Sequence, residues 1–221
     1  MKRTLAIAAL LTAAVAAAPV VAAPPDNAVN VVAKPKTVVF GKSTVLSGQV
    51  TGSGNGGVSV TLQSTPAPYT EGFKNVGNPV TTDANGFYSF TVTPQVNTRY
   101  RVTAKAKPTV ESAPVEVLVR PRVTLRVSDK TPRRGQRVRF AGVVTPAHDG
   151  AQARIQRRTR SGWRTLKTTT LAAATPVEGV TRSRYSVRMR VRRDGRYRAF
   201  VVTGDADHAP GRSRARRLRV H

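Results

Sequence analysis

Apolar and polar residues alternate along most of this chain with a period of two. In residues 57–63, Val58, Val60 and Leu62 alternate with Ser59, Thr61 and Gln63. That spacing turns one face of a strand to a core and the other to water. The same pattern predicts strands at 29–33, 37–40, 43–50, 87–92, 98–105 and 113–119, about seven in all up to residue 120. It then predicts strands at 137–144, 151–158, 163–170, 185–192, 196–202 and 213–220. Between them lie turn signals, with Asp83 to Gly86 and Arg160 to Gly162 as hairpin turns. Residues 66–77 read as a loop or edge strand, and residues 171–181, rich in Ala, Thr, Pro and Gly, read as a loop. Helical periodicity is confined to the N-terminal 22 residues.

The two sets of strands are copies. Lys36, Thr37, Gly41, Gly48, Val50 and Thr51 recur 94 residues later as Lys130, Thr131, Gly135, Gly142, Val144 and Thr145. Tyr88, Ser89 and Tyr100 recur 97 residues later as Tyr185, Ser186 and Tyr197, and Ser112 to Val119 matches Ser213 to Val220 at a spacing of 101. The slow drift marks small loop insertions in a tandem duplication. Regular short strands with a turn every 8–12 residues predict an all-β fold, two antiparallel β-sandwiches over 28–120 and 123–221. Only Pro121 and Arg122 separate them, which predicts a semi-rigid end-to-end joint. Tyr100 and Tyr197 stand near the start of the sixth strand, where a tyrosine commonly pins a sandwich through a hydroxyl–backbone bond.

Val201 to Ser213, with Gly204, Asp205, Ala206 and Asp207 at its centre, resembles the closing segment of bacterial Ig-like repeats of exported and cell-surface proteins. Thr82 to Phe90 resembles a turn–strand unit of the same repeats. The first copy has Ala104 to Pro108 in place of the Gly-Asp-Ala-Asp element. The resemblance implies two tandem immunoglobulin-like sandwiches, export, and a stalk or binding role. It carries over no catalytic residue and no cofactor.

Residues 1–22 read as a signal peptide: Lys2 and Arg3, an apolar run from Leu5 to Ala18, then Val20, Val21 and Ala22 before a cut after Ala22. The alternative, a retained anchor, needs about 20 strongly apolar residues, whereas Ala dominates this run and Pro19 interrupts it. The expected location is secreted or extracytoplasmic, at the cell envelope, with no transmembrane segment in the mature chain. There are no cysteines, which excludes disulfides and thiolate ligands.

Charge separates the copies. The chain carries 37 Lys and Arg against 11 Asp and Glu. Residues 23–120 hold nine basic and five acidic side chains, and residues 121–221 hold 26 and six, 24 of the 26 being Arg. Many follow the strand period: Arg137 and Arg139, Arg154 and Arg158, Arg188, Arg190 and Arg192, Arg214 and Arg216. These nine are expected on solvent faces, and as a set they are candidates for binding a polyanion such as teichoic acid, an acidic glycan or nucleic acid. The competing reading is a solvated surface biased to Arg by composition. No recognition helix or paired stacking aromatics point to sequence-specific nucleic-acid reading. Exposed edge strands leave a protein partner open, through strand addition in a purely structural tandem.

Trp163, between Gly162 and Arg164, is a candidate for stacking on a sugar or a cation, or for packing on its own sandwich edge. His148, Asp149, Asp205, Asp207 and His208 fall in two loops expected at one end of the second sandwich. They are candidate ligands for Zn²⁺ or Ca²⁺, or residues chosen for turn geometry. Gly52 to Gly57 satisfies GxGxxG but leads into a strand, so it is no dinucleotide cradle. With no paired groups in a sheltered cleft the chain reads as a non-enzyme, and a metal-dependent hydrolase enters only through the His148/His208 cluster.

Overall fold

The alternation at Val58, Val60 and Leu62 is realised in the strand Ser59–Pro66 and the residue before it, with all three side chains buried and Ser59, Thr61 and Gln63 partly exposed. The computed structural model describes residues 27–221, all of them strand, turn or loop. The signal-peptide expectation lies outside the described residues. No helix among them is long and apolar enough to cross a membrane.

The chain folds around two separate cores with no residue in common, one spanning Val31 to Val119 and the other Val123 to Leu218. Around the first, Thr44–Thr51 pairs with Phe87–Val92 and with the short strands Ala28–Val29 and Val32–Lys34. The facing sheet is built on Ser59–Pro66, Thr98–Ala104 and Val115–Arg120, with Thr37–Val39 running parallel to the last. Around the second core, Arg137–Thr145 pairs antiparallel with Val180–Arg190, flanked by Arg122–Val123 and Arg126–Val127 on one edge and Ala172–Val177 on the other. Its facing sheet has Gln152–Thr159 between Gly162–Thr170 and Gly195–Val202, followed by Gly211–Arg212 and Arg216–Leu218. The fold is thus all-β, as the alternation predicts. With no disulfide, burial of Val, Leu, Ile and Phe side chains, about 1.5–3 kcal/mol each, holds both units.

The repeated residues form one repeated device. Gly48 lies opposite Tyr88 and Gly142 opposite Tyr185. Without a Cβ at the glycine, the tyrosine ring lies across the strand and its hydroxyl donates to a carbonyl two strands away. The acceptor is Asn30 O in the first unit and Thr124 O, at 2.6 Å, in the second. A methyl group on either glycine would overlap both that carbonyl and the tyrosine hydroxyl. Ser112 and Ser213 match likewise: Val102 N and Ala199 N each donate to the serine hydroxyl, both at 3.0 Å. The tyrosine expected to pin the sixth strand does so in one copy, where Tyr197 donates to Arg193 O at 2.6 Å. In the other copy the hydroxyl of Thr98 bonds the matching carbonyl, Val96 O, at 2.7 Å. Its counterpart is Gly195, which has no side chain to offer.

Residues 171–181, expected as a loop, form a hairpin instead. Ala172–Val177 pairs with Val180–Arg190 through a turn in which Glu178 (φ 51°) and Gly179 (φ 74°) are left-handed. It is an exposed edge strand, so its side chains need no apolar alternation and the period-two signal is missing. The final strand predicted over 213–220 is broken: Ser213 bonds back to the neighbouring strand, and pairing resumes only at Arg216–Leu218.

The units are clasped where they meet. Asn97 N donates to Asp207 O (2.7 Å), its side-chain amide donates to Ala206 O (2.7 Å), and its Oδ1 accepts from Val119 N (2.8 Å). Ala209 N donates to Val119 O at 2.8 Å.

Gly142→Ala should lower stability by about 1–3 kcal/mol, the cost of overpacking, read as a lower urea midpoint. Burial holds the Tyr88 and Tyr185 hydroxyls well above their ordinary pKa of 10. The unfolded chain therefore loses these protons first, and stability should fall as pH rises past 10. Melting temperatures followed upward from pH 9 should show this loss, smaller in Tyr185→Phe.

Candidate functional site: an arginine-lined sheet face

Because side chains alternate along a strand, the register around Gly142 decides what reaches solvent. Tyr185, Val187 and Met189 turn inward, and the residues between them turn out. Arg137 then stands directly opposite Arg190, and Arg139 opposite Arg188. Arg184 faces Val143, Arg122 faces Thr145, Arg126 faces Ala141 and Arg182 faces Ala174. Eight arginines thus share one outer face, with no acidic residue at an outward position. Ala141, Val143, Ala172 and Ser186 are small and run between them, leaving a trough of about 790 Å³ walled by Arg122, Arg126, Arg139, Arg182 and Arg184.

Few of these guanidinium groups are tied down. Arg139 Nε donates to Ser186 Oγ at 3.0 Å, Arg182 donates to Thr175 O through Nε (3.1 Å) and Nη2 (2.7 Å), and Arg190 Nη1 donates to Gly135 O at 3.4 Å. Among the described residues, the Lys and Arg ion pairs with carboxylates are Lys74–Glu71, Arg99–Glu116 and Arg101–Glu111, all in the first unit. No arginine of the second unit lies within 4.0 Å of a carboxylate. Like charges directly across a ladder destabilise it, so this face carries unrelieved repulsion.

The first unit shows that the fold does not require the charge. Where the second has Arg139 opposite Arg188, the first has Val45 opposite Thr91. Where the second has Arg137 and Arg190, the first has Ser43 and Thr93, hydrogen-bonded at 2.9 Å. Exposed Val32, Val45 and Phe87 stand at the positions of Arg126, Arg139 and Arg184.

Of the nine predicted arginines, the structure gathers four on this face: Arg137, Arg139, Arg188 and Arg190. Arg154 and Arg158 lie on the opposite sheet. Arg192 falls beyond the end of its strand. Arg214 and Arg216 are exposed, as expected, but the last strand is broken and they lie off this face. Arg216 lies opposite the core residue Tyr197, and its Nε donates to Leu125 O at 3.2 Å. Both line a shallow recess with Arg126 at the open flank of the sandwich. Sequence reading missed Arg122, Arg126, Arg182 and Arg184. The signal for Arg182 and Arg184 was present, since they continue the alternation of Arg188 and Arg190 through Ser186.

Trp163 is half-buried, with the Arg198 guanidinium 4.1 Å from its ring centroid and that of Arg158 at 5.8 Å. Arg198 also donates to Gln156 Oε1 at 2.9 Å. Burial, then repulsion from Arg212 and Arg158, lowers the Arg198 pKa. The indole therefore packs on its own sandwich, under arginine.

Three of the five candidate metal ligands converge. The ligand atoms of His148, Asp205 and His208 all lie within 4.8 Å of one another. His148 Nε2 is 3.4 Å from Asp205 Oδ2, and the two imidazoles meet edge to face at 4.9 Å. Asp149 is drawn away, accepting from the Ser183 hydroxyl at 2.5 Å. Asp207 is placed by its backbone, whose carbonyl accepts from Asn97 N. Burial holds the His208 pKa below its usual value, and the His148 ring adds to that while Gln95 O and the two aspartates oppose it.

No protein-family model matches the chain, and no curated protein matches it. Among solved structures it is similar to red sea bream transglutaminase, with 14% identity and a TM-score of 0.47. The match covers 87% of this chain and 31% of that one, so the chain spans under a third of that protein's length. The likeness carries no functional argument.

If the ladder repels itself, Arg188→Glu should raise stability at low salt by about 1 kcal/mol, turning a like-charged cross-strand pair into an opposite one. The gain should shrink at 1 M salt, where the screening length falls to about 3 Å. A variant no more stable than the parent in 20 mM salt would mean the arginines avoid one another.

Proposed function

We propose that this chain is an exported, non-catalytic binding protein of the cell envelope, built as two immunoglobulin-like sandwiches. The second docks through its arginine-lined face on an extended polyanion. The observation that carries this reading is the unpaired ladder of eight arginines on one face, at positions where the first unit has only uncharged residues.

The geometry favours a polymer over a single small anion. Arginines two residues apart along a strand repeat at about 6.7 Å, and neighbouring strands lie about 4.8 Å apart. A chain bearing phosphate, sulfate or carboxylate groups at regular intervals meets successive guanidiniums, each able to bind in a bidentate fork. The trough of small side chains gives the polymer a bed. Binding releases condensed counterions and removes the repulsion between Arg137 and Arg190 and between Arg139 and Arg188. Teichoic acid, acidic glycan and nucleic acid share the chemistry required. The near-neutral first unit then serves as a spacer, held to the second by Asn97.

Binding of the protein to a teichoic acid polymer, heparin and duplex DNA, measured between 0.05 and 0.2 M salt, tests this. On DNA each neutralised phosphate contributes about 0.9 to the slope of log affinity against log salt. The fourfold variant Arg137, Arg139, Arg188 and Arg190→Thr should flatten that slope by about 3–4, by the same rule. The variant Arg154 and Arg158→Thr, on the other sheet, should leave it nearly unchanged. Equal loss per arginine from both sheets would mean diffuse charge instead of a face. No binding to any polymer at 0.15 M salt would leave a purely structural tandem.

A further inference from the structure

The His148, Asp205 and His208 cluster sits at the joint between the units. Its hydrogen bonds fix where the imidazole protons are. His148 Nδ1 lies 3.0 Å from Pro146 O, and His208 Nε2 lies 2.9 Å from Gln95 O. A carbonyl oxygen only accepts, so each of these nitrogens carries its ring's proton. The lone pairs are left on His148 Nε2 and His208 Nδ1.

His148 Nε2 faces Asp205 Oδ2 at 3.4 Å. His208 is 8% exposed, and its Nδ1 is buried without a hydrogen-bond partner. One ligand atom from each of the three residues lies within 4.8 Å of the others, and in neutral imidazoles neither free lone pair carries a proton. An orphaned buried acceptor is costly to leave without a partner, and the second nitrogen of each ring is held by a backbone carbonyl. That is the outer-shell arrangement which orients metal-binding imidazoles.

We propose that His148 Nε2, His208 Nδ1 and Asp205 Oδ2 bind one divalent ion of the zinc class. Two imidazoles and a carboxylate suit Zn²⁺ above Ca²⁺ or Mg²⁺, which take oxygen ligands. Tetrahedral zinc with bonds near 2.1 Å separates its ligand atoms by about 3.4 Å. Donors within 4.8 Å reach that geometry by a small shift, and Asp205, with its side chain 40% exposed, is free to make it. The cluster opens on a recess of about 500 Å³ between residues 147–152 and 202–205, where water supplies the fourth ligand.

The ion would also tie the units together. His208 is hydrogen-bonded to Gln95 of the first unit, and its ring lies 6.3 Å from that of Phe40. Asp205 Oδ1 accepts from His208 N at 3.0 Å, closing the turn that Asn97 grips from the other side. Binding would stiffen residues 203–209 and with them the joint.

The test is a calorimetric titration of the chelator-treated protein with Zn²⁺, repeated with Ca²⁺. One equivalent of Zn²⁺ should bind and raise the melting temperature. Asp205→Asn, which keeps an acceptor for His208 N, should weaken binding at least tenfold and abolish that rise. His208→Asn should lose saturable binding. His221→Ala, which removes the other histidine of the chain, should change neither. Should His208→Asn fail to fold, the exposed Asp205 variant decides alone. Absence of stoichiometric Zn²⁺ binding, unchanged affinity in Asp205→Asn, or equal preference for Ca²⁺ would overturn the site.

Discussion

The arginine face exists because three strands of the second unit are locked in one register. The lock is the Tyr185 hydroxyl bonded to Thr124 O across Gly142. Gly142 and Tyr185 lie on the strands that present Arg137 and Arg139 and Arg182 to Arg190, and Thr124 lies between the two short strands that present Arg122 and Arg126. A slip of one residue would turn every one of those arginines inward and every core residue outward. The glycine matters for what it lacks. Any side chain there would lift the tyrosine off the strand and open the hydrogen bond that sets the order.

The same lock holds the first unit through Gly48, Tyr88 and Asn30, with an outer surface of Ser43, Val45, Phe87 and Thr91. Comparing the copies separates what the sandwich needs from what the surface does. Tyrosine, glycine and the capping serine are common to both and serve the interior. The outward ladder of arginines on this sheet belongs to one copy, and the matching face of the other folds without it. A genome-wide bias toward arginine would act on both copies, yet on the matching face of the first unit the outward residues are Ser43, Val45, Phe87, Thr91 and Thr93. This contrast weighs against the reading in which the arginines are merely a soluble coat.

What the sequence displayed follows from which constraints leave a periodic trace. Buried positions repeat every two residues, so the strands around Val60, Val138 and Val187 and the duplication itself were legible. The edge strand Ala172–Val177 packs little and carries no such trace, and overlooking it hid Arg182 and Arg184. Arg214 and Arg216 alternate in the sequence, but Ser213 breaks the ladder before them, and a break caused by one side-chain hydrogen bond has no period. The convergence of His148 with His208 was foreseeable from loops sharing one end of a sandwich. The separation of Asp149 was not, because its partner Ser183 lies on a different strand.

The placement of the acids argues furthest for an external anion. Of the six in the second unit, four are engaged by nearby hydrogen-bond donors. Asp129 accepts from Thr131 N and Gln136, Asp149 from Ser183, Asp194 from Val220 N, and Asp205 from His208 N. These carboxylates hold turns, the carboxy-terminal strand and the joint, and none turns toward the arginine face. A surface selected only for solubility would gain from mixing its signs, as neighbouring opposite charges relieve strain at no cost to hydration. Here four of the six negative charges are used inside the unit, and the positive ones on the face with the trough have no carboxylate within 4.0 Å. Electroneutrality at that face must come from outside the chain, from mobile ions or from a polymer that displaces them. A polymer gains the entropy of every ion it displaces, which is the thermodynamic reason an unanswered ladder would bind one.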